Sequence, residues 1–201
     1  MKKISFVVAF ISLFFVFALP EDGGYQVGDT AKDFSLKNVD GKMVSMASMP
    51  EAKGFIVIFT CNHCPFSKAY EDRIIDLHKN FAPKGYPVIA INPNDAQKQA
   101  DDSFENMVVR AKEKAYPFVY LHDQSQEIAK TYGATRTPHV YLLNKENGVL
   151  KVAYIGAIDN NSQEAAQANE KYVETAVNSL LAGKKPAVNF TKAVGCTIKW
   201  K

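Results

Sequence analysis

Five apolar residues in a row, Phe55-Ile56-Val57-Ile58-Phe59, lead through Thr60 into Cys61-Asn62-His63-Cys64 and then into a segment of helical periodicity. The run does not alternate, so it fits a strand buried on both faces of a sheet. Beyond the cysteines, Phe66, Tyr70, Ile74, Leu77 and Phe81 share one helix face, and Lys84-Gly85 ends the helix. Pro87 to Ile91 reads as a second buried strand. Strand, helix and strand with a parallel crossover make an α/β unit with a dithiol at its first turn.

The remaining segments extend that unit. Phe34-Ser35-Leu36 and Met43-Val44-Ser45-Met46 flank Asp40-Gly41, a hairpin signal because Asp-Gly suits a turn needing positive φ. Asp102 with Glu105 suggests a capping box for a helix from Ser103 to about Ala115. Phe118 to Leu121 is a third buried strand, Gln126 to Tyr132 a short helix stopped by Gly133, and His139 to Leu143 and Val149 to Ile155 a returning strand pair. Asn169 to Leu181 carries Tyr172, Val173, Ala176, Val177 and Leu180 on one helix face. The expected organisation is a signal at residues 1–18, one domain at 19–183 and a C-terminal extension at 184–201 containing Cys196.

Lys2 and Lys3 followed by apolar Ile4 to Phe17, with Ala18 at a cleavage point, read as a secretory signal. The apolar run is short of the ~20 residues that a spanning helix needs, and membrane contact is expected only if the segment stays uncleaved. The mature chain is therefore expected in the periplasm or outside the cell, where disulfides persist. Cleavage takes Lys2 and Lys3 from 24 basic residues, which stand against 21 acidic ones. So even a balance gives no electrostatic reason to expect nucleic acid.

The chain has three cysteines, Cys61, Cys64 and Cys196, an odd and unevenly spaced set that suits chemistry better than a stapled scaffold. A helix N-terminus favours an anion, and a thiol there titrates at about 3.5–7.5 instead of about 8.5. Cys61 is the expected nucleophile and Cys64 the resolving thiol of a Cys61–Cys64 disulfide. His63, when charged, stabilises the thiolate and makes the disulfide more oxidising. Half a zinc site and a buried structural disulfide compete with this reading. The remaining histidines, His78, His122 and His139, stand at no short ligand spacing.

Phe59-Thr60-Cys61-Asn62-His63-Cys64-Pro65, Ala90-Ile91-Asn92-Pro93-Asn94-Asp95 and Tyr132-Gly133-Ala134-Thr135-Arg136-Thr137-Pro138 together resemble the thioredoxin superfamily. Within it the chain is most similar to peroxiredoxin-like redoxins of the AhpC/TSA type that carry a Cys-x-x-Cys, from about Tyr25 to Leu181. The Phe34 hairpin with Asp40-Gly41-Lys42 belongs to the likeness, and Gly195 to Trp200 also resembles endings in that group. The resemblance implies a thioredoxin-like α/β fold, a central mixed β-sheet flanked by helices with an N-terminal β-hairpin. It implies a cis bond before Pro138, beside the dithiol, which turns the Thr137 backbone outward to pair with an incoming peptide. Phe55 stands where thioredoxins bury an aspartate, so no proton acceptor for Cys64 is identified.

The expected activity is thiol-disulfide exchange with exported protein thiols and disulfides, coupled to an upstream redox donor or acceptor, with no organic cofactor and no metal. A thiol peroxidase using Cys61, with Cys64 or Cys196 resolving, is the alternative; a copper-handling protein with a Cys61, His63 and Cys64 ligand set stands further back. Arg136 is either a holder of a thiolate or acidic substrate or half of a surface salt bridge. Cys196 is open among a third redox partner, a dimer crosslink and a buried small hydrophobe.

Overall fold

The computed structural model describes residues 23–201, so the expected signal at residues 1–18 lies outside the described part. Its strands are β1 (Leu36–Asn38), β2 (Met43–Val44), β3 (Gly54–Phe59), β4 (Val88–Asn92), β5 (Val119–His122), β6 (Arg136–Thr137), β7 (His139–Glu146), β8 (Val149–Gly156) and β9 (Cys196–Thr197). Its α-helices are α1 (Pro65–Phe81), α2 (Phe104–Glu113), α3 (Glu127–Tyr132) and α4 (Tyr172–Leu181). Seven strands form one sheet in the order β2-β1-β5-β4-β3-β7-β8, and β6 pairs with β9 apart from it. β3, β4 and β5 run parallel, while β7, β8 and the β1–β2 hairpin run antiparallel to their neighbours. This is the mixed sheet expected from the sequence, with the hairpin on one edge.

β3 lies inside the sheet, between β4 and β7, and all six of its residues are buried. Ile56 and Ile58 face Tyr70, Ile74 and Leu77 of α1, with Val173 and Val177 of α4. Phe55, Val57 and Phe59 face the other layer, against Tyr132 of α3 and Tyr141 of β7. Two opposed cores explain why the run lacks alternation. Each such side chain contributes about 1.5–3 kcal/mol on leaving water. Gly41, at φ +87°, turns the hairpin, and Gly85, at φ +95°, ends the 3-10 turn after α1.

One expectation needs correction. Asp102 does not cap α2. Ser103 is the N-cap, its hydroxyl accepting the Asn106 N–H at 3.3 Å, and the Asp102 carboxylate turns the other way. The C-terminal extension is docked on the domain. Thr191 N–H donates to the Ile155 carbonyl and Lys199 N–H to Asn94 Oδ1, and Ile198 is buried in the core.

α1 and α2 are tied by a buried carboxylate. Glu71 accepts two hydrogen bonds of 2.7 Å from Arg110 and one of 2.9 Å from Tyr116, with Lys114 Nζ at 3.3 Å. Removing the guanidinium strands a buried charge, the costly way to break such a pair. Arg110→Ala is expected to lower stability by about 3 kcal/mol in urea unfolding. A loss below roughly 1 kcal/mol, typical of an exposed pair, would contradict this reading.

Candidate redox site

The end of β3 positions the dithiol. Thr60 N–H still pairs with the Ile91 carbonyl, and the chain then leaves the sheet through Cys61 to Cys64. Cys64 is the N-cap of α1, with Pro65 in the first helical turn where a missing N–H breaks no helix bond. Asn62 is locked in place, its Oδ1 accepting from Tyr120 Oη and its Nδ2 donating to the Asp101 carbonyl.

The loop is gathered by Asp102, which is fully buried. Its Oδ1 accepts the backbone N–H groups of Asn62 at 2.6 Å and His63 at 3.3 Å. Its Oδ2 lies 2.5 Å from His63 Nδ1 and accepts from Asn94 Nδ2 at 2.7 Å. A carboxylate there calls for the proton on Nδ1, so His63 is the donor. Sequence reasoning missed Asp102, Asn94 and Ser67. The polar stretch Asn92 to Asp95 was a signal, and Asp102 sat beside it under the wrong label of helix cap.

Cys61 Sγ lies 3.1 Å from Thr137 Oγ1, 3.5 Å from His63 Nδ1 and 3.7 Å from Ser67 Oγ. Cys61 is only 4% exposed, so its thiol is covered. The expected low pKa is corrected accordingly. Burial pushes the Cys61 thiol up and the Asp102 carboxylate adds to this, while the Thr137 hydroxyl, the Cys64 backbone and the Ser67 hydroxyl pull the other way. Low dielectric and a nearby negative charge both disfavour a thiolate.

The second correction concerns Cys64. The expected disulfide joins it to Cys61; in the structure Cys64 is bonded to Cys196, 132 residues on, and Cys61 is the free thiol. The cause is the path of the C-terminal strand. β9 pairs antiparallel with β6, with Thr137 opposite Cys196 and Arg136 opposite Thr197. The Thr137–Pro138 peptide bond is cis, as the resemblance implied, but the Thr137 edge expected to take a peptide is already filled by this strand. Cys64 Sγ sits 3.3 Å from the Thr137 carbonyl oxygen. Arg136 Nη1 donates to the Gly195 carbonyl at 2.9 Å, and among the described residues no carboxylate forms a salt bridge with it.

Cys61, His63 and Asp102 bring one sulfur, one nitrogen and one oxygen within 4.8 Å of one another. A soft cation would take the sulfur and nitrogen, and would have to displace the proton that His63 shares with Asp102.

Alkylation of Cys61 in the oxidised protein should keep accelerating with pH past about 8.5, the range of a free cysteine. Asp102→Asn removes the negative charge and should move the midpoint down. A plateau below neutral pH in the wild-type chain would contradict the burial argument. His139, at the head of β7, is pushed down to about 4 by burial, with Arg136 adding repulsion. The unfolded side chain titrates near ~6.5, so between these values the unfolded chain binds the extra proton. That contribution to stability is whole above about pH 6.5 and is lost as pH falls towards 4, up to roughly 3 kcal/mol. Urea unfolding from pH 7 to 4.5 should fall less steeply in His139→Gln; parallel profiles would count against it.

A thioredoxin-like fold is what comparison with known structures returns. The thioredoxin domain of a thiol-disulfide oxidoreductase from Bacteroides vulgatus superposes with a TM-score of 0.53 at 16% identity, covering 66% of this chain and 91% of that one. An uncharacterised conserved protein from Geobacillus kaustophilus superposes at 0.81 with 35% identity, covering 92% and 98%. Thiol-disulfide oxidoreductase ResA from Oceanobacillus iheyensis is 28% identical over 138 residues, 67% of each chain. The model of the AhpC/TSA family matches residues 27–154, from the lead-in before the hairpin through β8 to Tyr154, and the chain belongs to that family.

Proposed function

We infer that this chain is a thiol-disulfide oxidoreductase acting on the thiols and disulfides of exported proteins. The observation that carries the reading is the convergence of two sulfurs on one residue: Cys61 Sγ against the Thr137 hydroxyl and Cys64 Sγ against the Thr137 carbonyl. One of the two is already held in a disulfide, so bonding geometry is reached inside the folded chain. The name of the ResA relative supports the same activity.

In this reading Cys61 enters as a thiolate, with the Thr137 and Ser67 hydroxyls donating to it. Once the upstream donor has reduced the Cys64–Cys196 bond, Cys61 attacks a substrate disulfide, and the freed Cys64 then displaces the substrate thiol to leave Cys61–Cys64. The reverse sequence oxidises a substrate dithiol. His63, fixed by Asp102, places its ring beside the reacting sulfur and tunes the couple. Export follows from the N-terminal signal read in the sequence. Among the described residues no helix is long and apolar enough to cross a membrane.

The test is exchange between the purified full chain and a peptide disulfide in a glutathione buffer. Cys61→Ser and Cys64→Ser should each lower the rate by about a hundredfold or more, as removal of a covalent nucleophile does. His63→Ala should make the disulfide harder to reduce, by about tenfold in equilibrium constant or ~30 mV. Wild-type rates in Cys61→Ser would sink the assignment, and an unmoved potential would remove His63 from it.

A further inference from the structure

Three cysteines meet at Thr137, and the third arrives on a strand that lies where a substrate strand would lie. β9 adds antiparallel to β6, placing Cys196 opposite Thr137, and its sulfur is bonded to Cys64. That is the geometry of strand addition, in which main-chain pairing supplies affinity and a side chain supplies identity. Here the added strand belongs to the chain itself.

The segment behaves as a strap between two anchors. On one side Thr191 N–H bonds the Ile155 carbonyl, and Thr191 Oγ1 accepts from Ala157 N–H at 3.0 Å. On the other, Ile198 is buried, Lys199 N–H bonds Asn94, and Lys201 N–H bonds Gln126 Oε1 at 2.9 Å. Between them Val194 is 45% exposed and Thr197 is exposed. The strap is held by its disulfide, by β6, by the Arg136 hydrogen bond to Gly195 and by the buried Ala193. Gly195 lies so close to Thr137 that any side chain there would run into the Thr137 carbonyl.

We propose that Cys196 is a third redox-active cysteine and that its strand is a resident competitor for the substrate's place, released when the disulfide moves from Cys64–Cys196 to Cys61–Cys64. This rests on the oxidoreductase reading above. The step needs no outside oxidant. The Cys61 thiolate forms a bond to Cys64 Sγ, the Cys64–Cys196 bond breaks, and its electron pair leaves on Cys196, which takes up the proton that Cys61 lost. The number of disulfides is unchanged. With the bond gone, residues 192–197 can lift from Thr137 while both anchors hold, and the edge of β6 opens to a peptide. An internal strand competes at an effective concentration of order millimolar, far above a dilute substrate.

The experiment uses the full chain, oxidised with oxidised glutathione, quenched in acid, alkylated and mapped by peptide mass spectrometry. Both Cys64–Cys196 and Cys61–Cys64 are expected in the wild-type chain. Cys61→Ser should hold only the first. Gly195→Ala keeps every sulfur but pushes the strand off Thr137, and should shift the population towards Cys61–Cys64. In Cys196→Ser, amide exchange at 195–197 should quicken, and the apparent KM of the oxidised chain for a peptide dithiol should fall about tenfold. A single disulfide isomer in the wild-type chain, or unchanged exchange at 195–197 in Cys196→Ser, overturns the relay. If Cys196→Ser exchanges with the peptide at the wild-type KM, the relay is wrong and the oxidoreductase reading stands. If oxidised wild type and oxidised Cys196→Ser both leave the peptide dithiol untouched, both fall.

Discussion

The loop between β3 and α1 keeps its shape because a buried carboxylate gathers it. Asp102 takes two backbone N–H groups from that loop, the ring of His63 and the amide of Asn94. Without those donors, a carboxylate with no exposure would cost several kcal/mol to bury. The carboxylate and the loop therefore hold each other in place. Tyr120 closes the arrangement from β5 through Asn62. Position and electrostatics pull in different directions here. The same charge that fixes His63 also disfavours a thiolate at Cys61, so the site combines precise placement with a reluctant nucleophile.

The central unit was legible in the sequence because its causes are local. β3 announces itself through unbroken apolar residues, α1 through a three-to-four spacing, and the hairpin through Asp40-Gly41. Each of these follows from which face a side chain takes at a given backbone period. The cysteine pair was legible because it falls at the junction of two such elements. Pro65 near the first turn followed from helix-end chemistry alone.

What was not legible is what comes from afar. Asp102 and Glu105 look like a capping box at short range, and only the arrival of residues 62 and 63, about 40 positions earlier, gives the carboxylate better donors. Ser103 then takes over the cap at little loss, since serine serves there as well as aspartate. The C-terminal strand is harder still. Lys184 to Lys201 has no period, because two-residue β9 and single anchors such as Ile198 are too short to write one. Its partner at Thr137 is about 60 residues away, and no spacing rule links them.

The burial of Cys61 and the occupancy of the β6 edge bear on one order of events. Thr137 gives its hydroxyl to Cys61, its carbonyl lies against Cys64 Sγ, and its backbone pairs with Cys196, so one residue serves all three sulfurs. A substrate strand cannot claim that backbone while β9 holds it. Displacing β9 first requires the bond at Cys64 to move, and among the described residues the free thiol that meets Thr137 is Cys61. In the proposed relay, internal exchange therefore precedes oxidation of a partner dithiol. A thiol pushed up in pKa by burial slows that first step near neutral pH, because only its ionised fraction attacks. The closed form is thereby favoured kinetically, and a change that admits water or removes the negative charge beside Cys61 hastens the opening.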